Sequence, residues 1–376
     1  MRLLLAFDSF KGSLTSAEVS AAFAAGWQSV CAEDIIDILP IADGGEGTMC
    51  ALSEALGAKL CNIVVSDPLG RDVEAAYGYA EDRGVAVVDT ASASGLTLLT
   101  PSERNPLDTS SYGTGEIIAA ALRRGCKRIY IGLGGSATND GGMGLLRSLG
   151  YRFYDANGRE LTGCGRDLWR VMRIDASQRM AELDSVEFIV ASDVDNPLYG
   201  ARGAAFVYGK QKGGDEAAIK ALDEGLRHYA LCVERFVGRD MSQVAGAGAA
   251  GGIGFALIAL LGASLHSGID TLLELLDFDA RVAQCDLVVT GEGRIDHQTL
   301  MGKAPSGVLR RAMQHGVTTI AVGGGVAMCD ELRDSGFAAI YAATPEGQPI
   351  SEAMRAEVAK ENVRRIASHI AQTIVS

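Results

Sequence analysis

The sequence lacks the cysteine and histidine spacings that bind structural metals. Its eight cysteines, at positions 31, 50, 61, 126, 164, 232, 285 and 329, include no CxxC pair, and its five histidines form no HExxH motif. This spacing disfavours both a zinc site and a disulfide framework. Scattered thiols are typical of a reducing cytosol, so we expect a cytoplasmic protein.

A long hydrophobic segment is also missing. Only the short apolar run Leu3–Phe7 precedes Asp8, and the longest apolar run in the chain is Ile253–Ala263. A bilayer-spanning helix needs ~20 apolar residues, and a signal peptide needs a longer apolar region than the first of these runs. We therefore expect neither a signal peptide nor a membrane partner.

Positive charge is scarce. The chain has 34 Lys and Arg residues against 47 Asp and Glu residues, which gives a net charge of −13. Nucleic-acid partners are disfavoured, because a phosphate backbone binds a basic face. An anionic small molecule would need a local pocket of cations or backbone amides.

The length of 376 residues suggests two domains, because a domain typically has ~100–200 residues. Short apolar strands alternate with helices near both ends, and we predict strands at Leu3–Phe7, Ile35–Leu39, Asp286–Thr290, Thr319–Val322 and Ala338–Ala342. We also predict one amphipathic helix over Ser351–Ile374. Strands in this rhythm form parallel sheets through right-handed βαβ units.

The middle of the chain follows a different pattern. The stretch VSDPLGRDVEAAYGYAEDRGVAVVD, residues 65–89, suggests antiparallel strands with turns at PLG and DRG. The predicted fold class is therefore α/β, with residues 1–67 and 286–376 forming a doubly wound, Rossmann- or flavodoxin-like parallel-sheet domain. Residues 68–285 would form a second α/β domain with a mixed sheet, inserted into the first.

The 47 glycines concentrate in loops, most notably in IYIGLGGSATNDGGMG, residues 129–144. A predicted strand runs into Gly134, Gly135 and Ser136, and Thr138 and Asn139 follow. Consecutive glycines allow backbone N–H groups to point into one concavity, which is the chemistry of an anion nest beside a helix N-terminus. The alternative is an ordinary turn with an Asn or Asp cap.

Two nucleotide motifs are absent or doubtful. Residues 246–251, GAGAAG, match GxGxxG, but the preceding Leu222–Val237 looks helical and no second strand ending in an acidic residue follows. A dinucleotide fingerprint needs both contexts, so a nicotinamide dehydrogenase is disfavoured, and close packing or a phosphate-facing loop fits better. The chain contains no GxxxxGK[ST] P-loop motif.

Two acidic loops follow predicted strands. Asp193 and Asp195 follow EFIVAS, and in extended backbone their side chains would point to the same side. Such a pair can hold Mg²⁺ or accept a hydroxyl proton, and an Asx turn before proline is the alternative. In TGEGRID, Glu292 and Asp296 could meet a metal and Arg294 a phosphate, although an Arg294–Asp296 ion pair explains the pattern equally well.

Lysines also occur in glycine-bearing loops. The loop after the first strand contains Asp8, Ser9 and Lys11, at the edge where doubly wound sheets bind ligands. Lys212 and Lys303 lie in further glycine loops. Anion-binding loops with oxygen ligands, and no redox or nucleophile signature, favour phosphoryl transfer. The residues alone do not identify the acceptor.

The loop motifs resemble those of the glycerate kinase family of bacterial glycerate catabolism. In chain order they are DSFKGSL, ADGGEGT, SDPLGR, GGSATNDGG, DVDNPLYGARGAA, QKGG, GAGAAGGIG and TGEGRID followed by GKAP. The resemblance spans essentially the whole chain. It implies transfer of the ATP γ-phosphoryl group to D-glycerate with Mg²⁺, commonly giving 2-phosphoglycerate, at an active site in the cleft between two unlike α/β domains.

The resulting hypothesis assigns a role to each loop. Asp193 is the base or the orienter of the glycerate hydroxyl, Asp195 assists it or holds Mg²⁺, and Lys11 stabilises the transferring phosphoryl group. Glu292 and Asp296 lie near the metal. Substrate or phosphate contacts come from Asp8, Ser9, Gly134, Gly135, Ser136, Thr138, Asn139, Lys212, Arg294 and Lys303. A kinase for another short hydroxy acid and a non-catalytic sugar-acid binding protein stay open as alternatives, as does assembly into a homo-oligomer.

Overall fold

The computed structural model of the chain describes residues 1–41 and 48–375. The motif ADGGEGT therefore lies almost entirely outside the described residues. The described strands are, in chain order, β1 (Arg2–Phe7), β2 (Ile35–Ile38), β3 (Lys59–Ser66), β4 (Asp72–Ala80), β5 (Val85–Asp89), β6 (Arg128–Gly132), β7 (Arg152–Tyr154), β8 (Arg173–Asp175), β9 (Glu187–Ala191), β10 (Ser264–His266), β11 (Leu287–Gly291), β12 (Arg294–Ile295), β13 (Thr318–Gly323), β14 (Gly325–Val326) and β15 (Ala339–Ala342).

The described α-helices are α1 (Ser16–Gln28), α2 (Thr48–Ala55), α3 (Ala91–Ser94), α4 (Tyr112–Arg123), α5 (Met143–Ser148), α6 (Ala204–Tyr208), α7 (Glu216–Val237), α8 (Ile253–Leu261), α9 (Gly268–Leu275), α10 (Phe278–Val282), α11 (Ala304–Gln314), α12 (Asp330–Arg333), α13 (Ile350–Ala353) and α14 (Ala356–Val375). Short 3₁₀ helices occupy Glu81–Arg83, Leu96–Leu98, Gly165–Arg170, Ala181–Ser185, Ala249–Gly252 and His297–Leu300. None of the helices in the described ranges combines the length and the hydropathy that crossing a bilayer requires.

The chain divides into two compact units. Unit 1 comprises Met1–Ala51 and Ser267–Ser376, and unit 2 comprises Leu52–His266. These limits differ from those expected at residues 67 and 286. On one side, β3 pairs along its length with β4 and so joins the sheet of unit 2. On the other, Asp270 of α9 and Asp279 of α10 form ion pairs with arginines of α11, in unit 1.

The sheet of unit 1 is parallel throughout, with strand order β15-β13-β11-β1-β2. Numbered within the unit, this is the order 2-1-3-4-5 of a doubly wound sheet, so the predicted fold class is confirmed. The winding reverses between β1 and β11, and ligands of such sheets bind at the carboxyl ends of the strands beside that point. We therefore expect the ligand site of unit 1 at the loops that follow β1 and β11.

Buried apolar side chains explain why unit 1 folds this way. Every residue of β11 is buried, and in β1 only Arg2 is exposed, as expected of central parallel strands covered on both faces. Helix α1 starts in a capping box between Thr15 and Glu18. It then buries Phe23 and Trp27, one turn apart, in the same core as β1.

The sheet of unit 2 is mixed, as predicted, with strand order β10-β9-β6-β5-β4-β3. The β3–β4 and β4–β5 pairs are antiparallel, while β5, β6, β9 and β10 run parallel to one another. The carboxyl ends of β6 and β9 are therefore neighbours at one edge. The glycine-rich loop of residues 133–142 and the acidic loop of residues 192–197 both start there.

Candidate active site

In unit 1, the loops after β1 and β11 are joined at the carboxyl edge of the sheet. The Asp8 N–H donates to the carbonyl oxygen of Gly291 over 2.9 Å. A side chain at Gly291 would collide with the backbone, because its Cβ would lie 1.8 Å from the Val322 oxygen. Glycine at this position thus allows the ends of β11 and β13 to approach closely.

A cavity of about 540 Å³ opens at this edge. Its apolar lining includes Phe10, Val326, Ala327, Ala343, Ala353 and Met354. Its polar and charged lining includes Ser9, Lys11, Glu292, Arg294 and Lys303. A largely apolar cavity with a few polar groups is the usual form of a small-molecule site, and these cations suit an anionic ligand.

Glu292 is held by two partners inside this cavity. It is only 5% exposed, and its Oε2 lies 3.1 Å from the Lys303 Nζ. Its Oε1 accepts a hydrogen bond of 2.6 Å from the Thr299 hydroxyl. The structure therefore fixes the Glu292 carboxylate beside the Lys303 ammonium group. In this position the carboxylate could bind a metal, or it could orient the lysine towards a phosphate.

The remaining predicted residues of unit 1 have distinct environments. Asp8 is buried, and its Oδ1 accepts from the Ser9 N–H over 2.7 Å. Lys11 is exposed at the cavity. The Arg294 side chain is 71% exposed and lies 3.4 Å from Asp296, which is the ion pair that the sequence left as an alternative. Asp296 also caps the turn at His297–Leu300.

In unit 2, the loop after β6 is exposed at its start and buried at its end. Gly134 and Gly135 are exposed, whereas Ser136, Thr138 and Asn139 are buried. Within the described residues, the N–H groups of Gly134 and Gly135 donate no hydrogen bond. Two adjacent amide donors at a strand end fit the predicted anion nest.

Lys212 is buried inside unit 2 rather than exposed on its glycine loop. It is 2% exposed, and its Nζ donates to the Ser136 Oγ over 2.9 Å and to the Thr138 carbonyl oxygen over 2.7 Å. Burial lowers the pKa of Lys212 to about 7, against an opposing effect of Asp140. Lys212 thus fixes the backbone of the loop of residues 133–142, which is here called the anion loop after its predicted role.

The same loop contains polar atoms without partners. The Thr138 hydroxyl and both amide atoms of Asn139 are buried, and within the described residues none of them forms a hydrogen bond. Such groups cost about 1–3 kcal/mol each when nothing satisfies them. A ligand or an ordered water at this loop would remove that cost.

Asp140 is a buried residue of the same loop that the sequence did not single out. Its fully buried carboxylate accepts from the N–H groups of Gly142 and Gly144 and from both the N–H and the hydroxyl of Ser111. Burial raises the pKa of Asp140, which these hydrogen bonds oppose. The only signal for Asp140 in the sequence was its place between Asn139 and two glycines. That pattern equally describes a simple turn cap.

The acidic pair follows β9, the neighbour of β6. Asp193 and Asp195 are both exposed, and Asp195 forms a surface ion pair of 2.9 Å with Arg202. Since β6 and β9 are adjacent and parallel, Asp193 and the anion loop lie at the same edge of the unit 2 sheet. The structure therefore groups the predicted residues into two sets, one in each unit.

The GAGAAG motif packs against backbone instead of forming a dinucleotide site. The Gly141 N–H donates to the Gly251 oxygen over 3.0 Å, and the Gly248 N–H donates to the Asn196 oxygen over 2.9 Å. No strand leads into it, since α7 precedes it in the chain. Close packing, one of the two roles expected for this motif, is therefore observed.

A doubly wound unit with cations around an open cavity, together with an amide-rich loop in the second unit, has the features expected of a phosphotransferase. Comparison with known proteins identifies the family. Residues 3–375 match the model of the glycerate kinase family. A glycerate kinase of Bacillus cereus is 42% identical over 99% of this chain and 97% of its own length.

Two further relatives agree. The glycerate 2-kinase of Escherichia coli K12 is 40% identical over 100% of this chain and 98% of its own length. The crystal structure of a Salmonella typhimurium LT2 protein assigned as glycerate kinase 2 superposes with a TM-score of 0.89 at 40% identity, covering 100% of this chain and 98% of that one. The chain belongs to the glycerate kinase family. The resemblance inferred from the loop motifs is confirmed, and so is the predicted enzyme class, an ATP-dependent kinase for glycerate.

Proposed function

We propose that the enzyme transfers the γ-phosphoryl group of Mg²⁺-bound ATP to the 2-hydroxyl of D-glycerate, in the cytoplasm. The choice of the 2-hydroxyl is supported by the 40% identity to an enzyme named glycerate 2-kinase. Cytoplasmic location is supported by eight cysteines that are all free thiols.

The cavity of unit 1 is the observation that carries the proposal. A three-carbon acid would leave most of its 540 Å³ unfilled, whereas a nucleoside triphosphate matches that size. The apolar side chains, such as Val326 and Met354, suit an aromatic base, and Lys11, Arg294 and Lys303 suit phosphates. We assign ATP to this cavity, with Asp8 and Ser9 at its phosphate end.

The carboxylates available in unit 1 fit Mg²⁺. Within residues 1–41 and 48–375, no three His, Cys, Asp or Glu side chains are grouped as a metal cage. Mg²⁺ bound to a nucleotide needs only one or two protein carboxylates, because the phosphates and water complete its shell. Glu292 and Asp296 would hold it, and the metal would neutralise charge on the phosphate oxygens.

We assign glycerate to the anion loop of unit 2. Its carboxylate would accept from the N–H groups of Gly134 and Gly135, and the buried polar groups of Ser136, Thr138 and Asn139 would shape the loop around it. Asp193, at the same sheet edge, would accept the proton of the glycerate hydroxyl, and Lys11 would stabilise the charge on the transferring group. Lys212 supports this loop.

The test is a coupled assay of ADP release with Mg²⁺ and ATP, run with glycerate, tartronate and erythronate as acceptors. We expect glycerate to give the highest kcat/KM, and ³¹P and ¹³C NMR of the product to show phosphate on carbon 2. Preference for another acid would identify a different short hydroxy-acid kinase. Acid binding without ADP release would indicate a non-catalytic binding protein.

A further inference from the structure

The bend at residues 246–252, here called the glycine bend, contacts both loops that we assign to the acceptor. Its C-terminal half lies against residues 138–141, and its N-terminal half lies against residues 194–197. The loops themselves leave adjacent parallel strands, β6 and β9. The glycine bend is thus placed to fix the distance between the anion loop and the loop of Asp193.

The contact with the anion loop leaves no room for a side chain. A Cβ at Gly251 would lie 2.0 Å from the Thr138 carbonyl oxygen and 2.7 Å from the Asn139 Cα. That Thr138 oxygen is the one that accepts from Lys212. A displacement at Gly251 would therefore reach the hydrogen bond that shapes the anion loop.

The contact with the acidic loop is equally close. A Cβ at Gly248 would lie 2.3 Å from the Pro197 oxygen, and the Gly248 N–H donates to the Asn196 oxygen over 2.9 Å. At Gly246, a Cβ would come within 3.2 Å of the Val194 oxygen. Backbone of the glycine bend thus meets backbone of the acidic loop at residues that are one to four positions from the carboxylates of Asp193 and Asp195.

The backbone of the glycine bend is also strained. Ala250 has a φ of 52° and is one of two non-glycine residues with positive φ in the described chain. Side-chain-bearing residues avoid this conformation unless their surroundings impose it, and such strain concentrates at functional sites. The next two residues, Gly251 and Gly252, also have positive φ, of 67° and 94°, so three consecutive residues of the bend have left-handed backbone.

We propose that the glycine bend is a positioning element, with Gly251 its main residue, that holds the anion loop and the Asp193 loop in the register needed for the acceptor. This inference rests on the proposed function, because it takes both loops to serve glycerate. It assigns a role to the GAGAAG motif that involves no nucleotide. The bend acts through the loops and touches no reacting atom.

The test compares Gly251→Ala with Gly262→Ala. Both glycines have a φ of 67°, but a Cβ at Gly262 would meet nothing within 4 Å. The two variants therefore share the same positive φ and differ in the collision of the new Cβ with Thr138 and Asn139. We expect Gly251→Ala to lower kcat/KM for glycerate at least about tenfold relative to Gly262→Ala, with the KM for ATP unchanged, because small displacements of reacting groups have large kinetic effects.

Equal kinetics of the two variants would overturn the proposal. If Gly251→Ala does not fold, Ala250→Gly tests the same idea, because it relieves the positive φ and loosens the bend. We expect this variant to melt no lower than the wild type and to lose about threefold in kcat/KM for glycerate; unchanged kinetics would likewise overturn the proposal. A wild-type enzyme inactive on glycerate would instead refute the proposed function.

Discussion

The two units differ in how far their candidate anion-binding cations are buried. In unit 1, Lys11 and Arg294 are exposed, and the Lys303 side chain is 30% exposed beside Glu292. In unit 2, Lys212 is 2% exposed and is hydrogen-bonded to the loop that it supports. An exposed cation adds screened attraction, whereas a buried one fixes geometry. We therefore expect substitutions in unit 1 to change nucleotide affinity and those in unit 2 to change use of the acceptor.

Asp193→Asn should give the largest effect. If the carboxylate accepts the glycerate proton, its loss should lower kcat by about 10²-fold or more. The measurement is ADP release at saturating ATP and glycerate. Asp184→Asn is the control, because Asp184 is an exposed aspartate near the opposite, amino-terminal end of β9. Near-normal turnover of Asp193→Asn would remove this residue from the chemistry.

Lys212→Met should separate activity from stability. Losing the hydrogen bonds to Ser136 and Thr138 should lower kcat/KM for glycerate at least about 30-fold through misplacement of the loop. The free energy of unfolding at pH 7 should not fall, because the cost of burying an ammonium group disappears with it. Lys220→Met, at an exposed lysine of α7, is the control. A variant that unfolds more easily but keeps its kcat/KM would show that Lys212 is only structural.

The titration of Lys212 should also make the free energy of unfolding depend on pH. The pKa of Lys212 is about 7 in the folded chain and 10.5 as the ordinary value, so between these pH values the unfolded chain binds a proton that the folded chain does not. Stability should therefore rise with pH across this interval, by at most about 1.4 kcal/mol per pH unit. Urea unfolding of the wild type and of Lys212→Met should show this slope only in the wild type; parallel curves would contradict it.

Lys303→Met should weaken the use of ATP without changing the use of glycerate. Without a cation–phosphate contact, the KM for ATP should rise about tenfold while the KM for glycerate stays constant. Steady-state kinetics with each substrate varied in turn measures both constants, again with Lys220→Met as the control. An equal rise in both KM values would place Lys303 outside the assigned role.

Added salt should give the smallest effect. Between low and physiological ionic strength, screening of the exposed cations should raise the KM for ATP by about two- to threefold, and the KM for glycerate should change less. Titration with potassium chloride at constant free magnesium tests this difference. A stronger salt effect on glycerate would mean that its site is the more exposed one.

Much of the fold could be predicted because the central strands of unit 1 are continuous apolar runs. β1 and β11 lie within a residue or two of their expected limits. The C-terminal region was predicted less well, since the expected single helix is two helices, α13 and α14, with a break at Met354–Arg355. Its apolar periodicity continues across the break, and only the structure shows that Met354 lines the cavity.

The sequence located the loops of the site but not the environment of their side chains. Lys212 sits in a polar, glycine-rich segment that resembles an exposed loop, and its burial depends on the distant residues 136–138 packing over it. The same holds for Asp140, whose partners include Ser111 of a remote segment. Contacts between residues far apart in the chain leave no periodic pattern, so sequence reasoning could not find them.

Hydrogen exchange with each substrate alone measures most directly whether the two anions bind in different units. We predict that ATP with magnesium slows exchange in residues 8–14, 291–303 and 324–327 of unit 1, and that glycerate slows exchange in residues 134–142 of unit 2. Protection of the unit 1 segments by glycerate, with residues 134–142 unaffected, would contradict the assignment of the acceptor to unit 2.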